Sequence, residues 1–261
     1  MVYLSSALRA TTIVGIWTEN RVTIAADSKQ TITRGQTVIG SRNVCKLYQI
    51  GDLIMAVAGL TQAEEVEIIS KLQDFPREYT DASGKKLPLL RISIAVQLVL
   101  QEAIDGRARA EGRDPRAFDP VGYDPQFTMS LLIAGIIDGN VAMSRINAIP
   151  TPGFRSGPVF GSNATRQSEI DYPKDRGRDG GDPKRAFEIL GVNNAIARFR
   201  LILPTEWNTG EDATVAQRLV AIEASDTASS AVVGPPISLM TIDRNGPRWI
   251  EKGLCQWEPK K

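Results

Sequence analysis

Thr11-Thr12-Ile13-Val14-Gly15-Ile16-Trp17, the polar turn Thr18-Glu19-Asn20 and Arg21-Val22-Thr23-Ile24-Ala25-Ala26-Asp27 are the stretch whose reading decides the fold. Runs rich in β-branched residues, the second alternating apolar with polar, on either side of a short polar break read as a β-hairpin. Moving outward, Lys46-Leu47-Tyr48-Gln49-Ile50, the Gly51-Asp52 turn and residues 53–58 make a second hairpin ending at Gly59. Residues 127–137 and 141–149, joined by Asp138-Gly139-Asn140, make a third, whose first strand is apolar on both faces and therefore buried. A last hairpin pairs residues 237–242 with 248–250 around Arg244-Asn245-Gly246-Pro247.

Helices are expected between these sheets of hairpins. Thr61-Gln62-Ala63-Glu64 is a capping box, after which Val66, Ile69 and Leu72 recur at helical spacing until Pro76. A second helix is expected over about 89–104, with Ile92, Val96, Val99 and Ala103 on one side, and a third over 213–224. Gly, Pro and charged residues make 106–125 a surface loop. A short strand at 158–160 leads into Gly161-Ser162-Asn163, residues 171–183 are polar and Gly-rich, and 186–202 fits helix and strand equally. No internal repeat is visible. Hairpins, helices and again hairpins define an α+β chain in which antiparallel sheets pack together with helices outside. The expected organisation is one domain over residues 11–261 with insertion loops near 106–125 and 171–211.

The 261 residues suffice for one substantial core. Hydrophobic residues at 42% and charged residues at 23% exclude disordered and fibrous classes. Lys+Arg 31 against Asp+Glu 30 leaves +1, no electrostatic reason for a nucleic-acid or membrane partner. The longest apolar run, near 131–137, is far below the roughly 20 residues of a membrane span, and residues 1–10 make a poor signal peptide. Cys45 and Cys255 are too few for a disulfide framework and lack metal-ligand spacing, so a reducing, cytoplasmic setting is expected, with Cys45 a core residue.

The chain has no histidine. Ser-His-Asp and Cys-His catalysis and histidine metal sites are therefore excluded, and any general base must be a carboxylate, a lysine, a tyrosine or an α-amino group. A threonine at a chain terminus meets this need. Its own α-amine, with a pKa of roughly 8, accepts the hydroxyl proton near neutrality.

Thr11-Thr12-Ile13-Val14-Gly15-Ile16, Ala25-Ala26-Asp27-Ser28-Lys29, Lys46-Leu47-Tyr48-Gln49-Ile50 and Ala56-Val57-Ala58-Gly59-Leu60 resemble the successive signatures of proteasome β subunits. Bacterial ATP-dependent peptidase rings and the ancestral bacterial β-type proteins share much of this pattern. The resemblance is strongest over residues 11–75 and thinner, in the right order, to Ile250. It implies a four-layer αββα sandwich of the N-terminal-nucleophile (Ntn) hydrolases and amide hydrolysis through a threonyl ester.

Residue by residue, the resemblance implies that Thr11, freed of residues 1–10 as a propeptide, is the nucleophile, with the Lys46 charge beside it and Asp27 holding Lys46. It implies that the Gly59 N–H is the oxyanion donor and that Ser162, Asp226 and Ser229 hydrogen-bond around the terminal amine. The family's double glycine after the last serine is replaced here by Ser230-Ala231, and its glycine before the threonine by Ala10. No metal or organic cofactor is implied. The implied partners are a peptide or protein substrate, further copies in a ring, and an ATPase unfoldase. Two other readings share the fold: a noncatalytic, α-subunit-like ring component in which Thr11 stays uncleaved, and an Ntn hydrolase of small amides.

Overall fold

The computed structural model describes residues 11–34, 37–59, 68–72, 89–117, 129–137, 140–148, 185–191, 193, 195–198 and 210–255. The strands are β1 (Thr12–Thr18), β2 (Arg21–Asp27), β3 (Lys29–Arg34), β4 (Thr37–Asn43), β5 (Leu47–Ile50), β6 (Leu53–Ala58), β7 (Met129–Ile137), β8 (Asn140–Ala148), β9 (Arg185–Gly191), β10 (Ile237–Asp243) and β11 (Gly246–Glu251). The two long helices are α1 (Leu89–Ala110) and α2 (Asp212–Ser225), and residues 68–72 and 195–198 are also helical.

One sheet has the order β11-β10-β2-β1-β9, a second β5-β6-β7-β8, and β3 and β4 pair with each other. Neighbours run antiparallel throughout. The core explains why four layers form. Ile13, Trp17, Val22, Ile24 and Ala26 of the first sheet meet Ile54, Ala56, Leu132, Ala134 and Met143 of the second in one buried cluster. The alternate residues face outward in a sheet, and they are apolar too. Met55, Val57, Leu131 and Ile133 pack under Ile92, Val96, Leu100 and Ile104 of α1, whereas Val14, Ile16 and Ala25 pack under Val215, Ala216, Leu219 and Val220 of α2. Strands apolar on both faces can only be interior layers. The result is the expected αββα sandwich. Trp17 adds a polar tie between the sheets, donating from Nε1 to the Val141 carbonyl at 2.8 Å.

Four sequence expectations need revision. The second helix runs six residues past 104, because Arg107 and Ala108 are buried and tertiary contact outweighs the helix-weakening Gly106, so the loop begins only after Ala110. The stretch near 171–211 is not loop throughout: it contains β9, which pairs with β1, and the ambiguous residues 186–202 hold both a strand and a helical turn. β3 and β4 form a strand pair with no sequence forecast. Cys45 and Cys255 are joined by a disulfide, their Cα atoms 4.8 Å apart across a sequence separation of 210, so the argument for a reducing compartment loses its basis. The capping box, Val66, the strand at 158–160 and residues 171–183 lie outside the described residues. Among the described residues no helix is long and apolar enough to cross a membrane.

Candidate active site

At one end of the sandwich three chain segments converge on the carboxylate of Asp27. The β1–β2 register, Ile13 opposite Ala26, carries on to set Asp27 opposite Thr12. The Thr12 N–H donates to Asp27 Oδ1 at 2.9 Å. Lys46, placed at the entrance to β5 in the other sheet, reaches across and donates from Nζ to the same oxygen at 2.7 Å and to the Lys29 carbonyl at 2.6 Å. Asp27 Oδ2 accepts from the N–H groups of Lys29 at 3.1 Å and Gly234 at 3.2 Å. Buried charges persist only when paired and hydrogen-bonded; Asp27 is 1% exposed and Lys46 6%, and between them they meet that condition.

The shared oxygen keeps the Lys46 ammonium within two hydrogen-bond lengths of the Thr12 nitrogen, the atom bonded to the Thr11 carbonyl carbon. Thr11 itself is buried at the mouth of β1. Its carbonyl lies so close to Gly191 of β9 that a Cβ built there would fall 1.7 Å from the oxygen; with φ at +81°, that position is also one side chains rarely adopt. Gly191 thus lets the sheet close tightly around the head of β1.

Gly59 ends β6 with φ at +89°, a conformation that favours glycine. Its carbonyl accepts from Nη2 of Arg107 at 2.8 Å. Asp226 and Ser229 lie beyond the C-terminus of α2. The Ser229 hydroxyl donates to Glu223, which is fully buried and also accepts the N–H groups of Ala195 at 2.9 Å and Ile196 at 3.1 Å. Asp226 is paired with Arg198. The side chains of Asp226 and Ser229 therefore form a cluster with Glu223 and Arg198, linked to Asp27 through the backbone of the 229–234 turn, where Val233 N–H donates to the Ser229 carbonyl and Gly234 to Asp27. Ser162 lies outside the described residues. Sequence reasoning missed Lys29, Gly191, Gly234, Arg107 and Glu223. For Arg107 alone there was a signal, since it continues the stripe Ile92, Val96, Val99, Ala103 by one more helical step.

The layer order is the αββα sandwich that the sequence resemblance implies. Residues 7–111 match the model of a family described as Proteasome subunit. Anbu (ancestral beta-subunit) from Yersinia bercovieri superposes with a TM-score of 0.53 at 17% identity, over 92% of this chain and 88% of that one. An Anbu (Gly-1) mutant from Hyphomicrobium sp. strain MC1 superposes with a TM-score of 0.55 at 18% identity, over 92% and 87%. No curated protein sequence matches. The chain thus has the fold of these Anbu structures, and its residues 7–111 carry the pattern of the Proteasome subunit family.

Proposed function

We propose that the protein is a threonine-type Ntn hydrolase that cleaves peptide bonds after residues 1–10 are removed. The observation that carries this reading is the buried Asp27 oxygen shared by the Lys46 ammonium and the amide next to Thr11. The liberated α-amine takes the proton from Thr11 Oγ as the oxygen attacks the substrate carbonyl. The Lys46 charge nearby favours the unprotonated amine and the developing alkoxide. The Gly59 N–H stabilises the tetrahedral oxyanion, an interaction worth about 3 kcal/mol in other hydrolases. As the intermediate collapses, the leaving amine receives the proton from the α-ammonium, leaving a threonyl ester. Water, deprotonated by the same amine, then releases the acid and restores the hydroxyl.

Ser162, Asp226 and Ser229 remain proposed to order the terminal amine, the last two through the 229–234 turn. Self-association into a ring, an ATPase unfoldase partner and a cytoplasmic setting belong to the same reading. Intact mass is its test. The wild-type chain should lose the mass of residues 1–10 and react at Thr11 with a peptide electrophile, while Thr11→Ala should stay full length and inert. A wild-type chain that remains unshortened and unreactive would instead favour the ring component without catalysis. Labelling of Thr11 without hydrolysis of any peptide would favour a small-amide substrate.

A further inference from the structure

Arg107 and Arg109 both stand in the last turn of α1, where a cation complements the negative end of the helix dipole. Only Arg109 is exposed. Arg107 is 7% exposed, and a guanidinium is not buried for a dipole term that solvent-facing Arg109 already supplies. Its direction is the informative part: Nη2 reaches out of the helix layer to the Gly59 carbonyl at 2.8 Å, a charge-assisted bond of the stronger kind. The base of this arm is rigid. Ile104 and Ala108, on either side of Arg107, are fully buried under the second sheet, and the Ala108 carbonyl ties down the N–H of Arg113 at 2.9 Å.

We infer that Arg107 is a positioning residue for the oxyanion donor, an assignment that rests on the reading of Gly59 given above. Gly59 sits at φ +89°, with a conformational freedom open to no other residue. Left to itself, such a glycine samples several orientations of its two peptide planes. The Gly59 N–H lies in the 58–59 peptide plane, anchored at one end by the pairing of Ala58 with Ser130, the last register pair of its strand, and at the other by the Gly59 carbonyl that Arg107 holds. The N–H of Gly59 then has one direction. An oxyanion donor gains its effect from being aimed before the charge develops, so a cation on the outer helix contributes to the rate without touching substrate.

The test compares Arg107→Met and Arg107→Lys with wild type on a fluorogenic peptide amide, each rate divided by the number of Thr11 nucleophiles titrated with a peptide vinyl sulfone. In Arg107→Met, kcat should fall about 10- to 100-fold, short of the loss on deleting a donor, with KM within about twofold. A peptide aldehyde, whose hemiacetal oxygen occupies the oxyanion position, should lose affinity by a similar factor, whereas vinyl sulfone alkylation, which builds no such oxygen, should change by less than about threefold. Arg107→Lys keeps the cation without the planar fork and should fall between. A folded Arg107→Met protein with wild-type kcat, or one whose loss lies wholly in KM or in the titrated fraction, overturns the inference. Should Arg107→Met not fold, wild-type kcat in Arg107→Lys overturns it equally. If wild type itself is neither shortened nor labelled, the inference falls with the reading beneath it, an outcome distinct from a fully active variant.

Discussion

β2 has a buried carboxylate against each of its ends, and the two ends differ in the cation each carboxylate holds. At the start of the strand, Arg21 meets Asp212 at 3.0 Å, and Asp212 also holds Arg185 at 2.8 Å. At the finish, about 20 Å away by strand geometry, Asp27 holds Lys46 at 2.7 Å. Guanidiniums stay protonated and cannot take part in proton traffic, and the Arg21 side chain is 36% exposed, open to solvent. The ammonium of Lys46 is a compact point charge whose side chain is only 6% exposed, beside a threonine at the head of a strand. Burying an ion pair says little about chemistry. The distinction lies in the type of cation and in what stands next to it.

Catalysis should separate the two ends most. Lys46→Met is expected to block removal of residues 1–10 and to lower amide hydrolysis about 10³-fold or more, within the range of lost proton-transfer assistance, whereas Arg21→Met should keep both. Intact mass and peptide turnover read this directly; normal processing in Lys46→Met would erase the contrast. In wild type, kcat/KM should rise with pH through an apparent pKa of about 8 or below, as the α-amine loses its proton.

Stability should separate them next. Asp27→Ala leaves a buried ammonium with the Lys29 carbonyl and takes the acceptor from the N–H groups of Thr12, Lys29 and Gly234. About 3–5 kcal/mol should be lost. Asp212→Ala frees Arg21, which water can reach, and leaves Arg185, buried but stacked over the Phe187 ring, for about 1–3 kcal/mol. Urea midpoints of the two variants decide, and equal losses would mean that burial at the Lys46 end has no special weight. Opening the neighbouring Cys45–Cys255 bond with a thiol should cost about 2–5 kcal/mol, measured as the shift in the same midpoint.

The smallest effect belongs to the arginine end. Glu211 caps α2 there, accepting from the Thr214 N–H at 2.8 Å. Burial pushes its carboxyl up, but hydrogen bonds from Thr214 and Ala213 and the charge of Arg21 outweigh this and hold it below its ordinary 4.5. A lowered folded-state pKa gives stability that is present above the unfolded value and lost as pH falls through the folded one. Glu211→Ala should therefore cost about 1 kcal/mol near pH 7 and progressively less below pH 4.5, as seen in urea unfolding at both ends of that range.

The hairpins and the layer order were legible because Ile13 to Asp27 and Leu53 to Ala58 are strand-forming runs bounded by polar turns, and the structure buries these strands almost end to end. Asp27 and Lys46 were legible as candidates only in combination, since each alone is an ordinary strand-end residue. β9 was not: three residues in the middle of this edge strand are half-buried, so its sequence shows no clean period. β3 and β4 have polar residues on both sides of the chain and offer no apolar face to read. The disulfide was invisible because partners 210 residues apart are brought together by the packing of the two sheets, not by spacing. Arg107 was hidden by the expectation that Gly106 ends its helix.

The Cys45–Cys255 linkage makes residues 45–255 a covalent circle, with residues 1–10 as a tail outside it. A single nick within the circle changes no mass, apart from one added water, until a thiol is supplied, whereas shedding the tail shows at once without reductant. On a non-reducing gel the polypeptide therefore keeps maturation and damage apart.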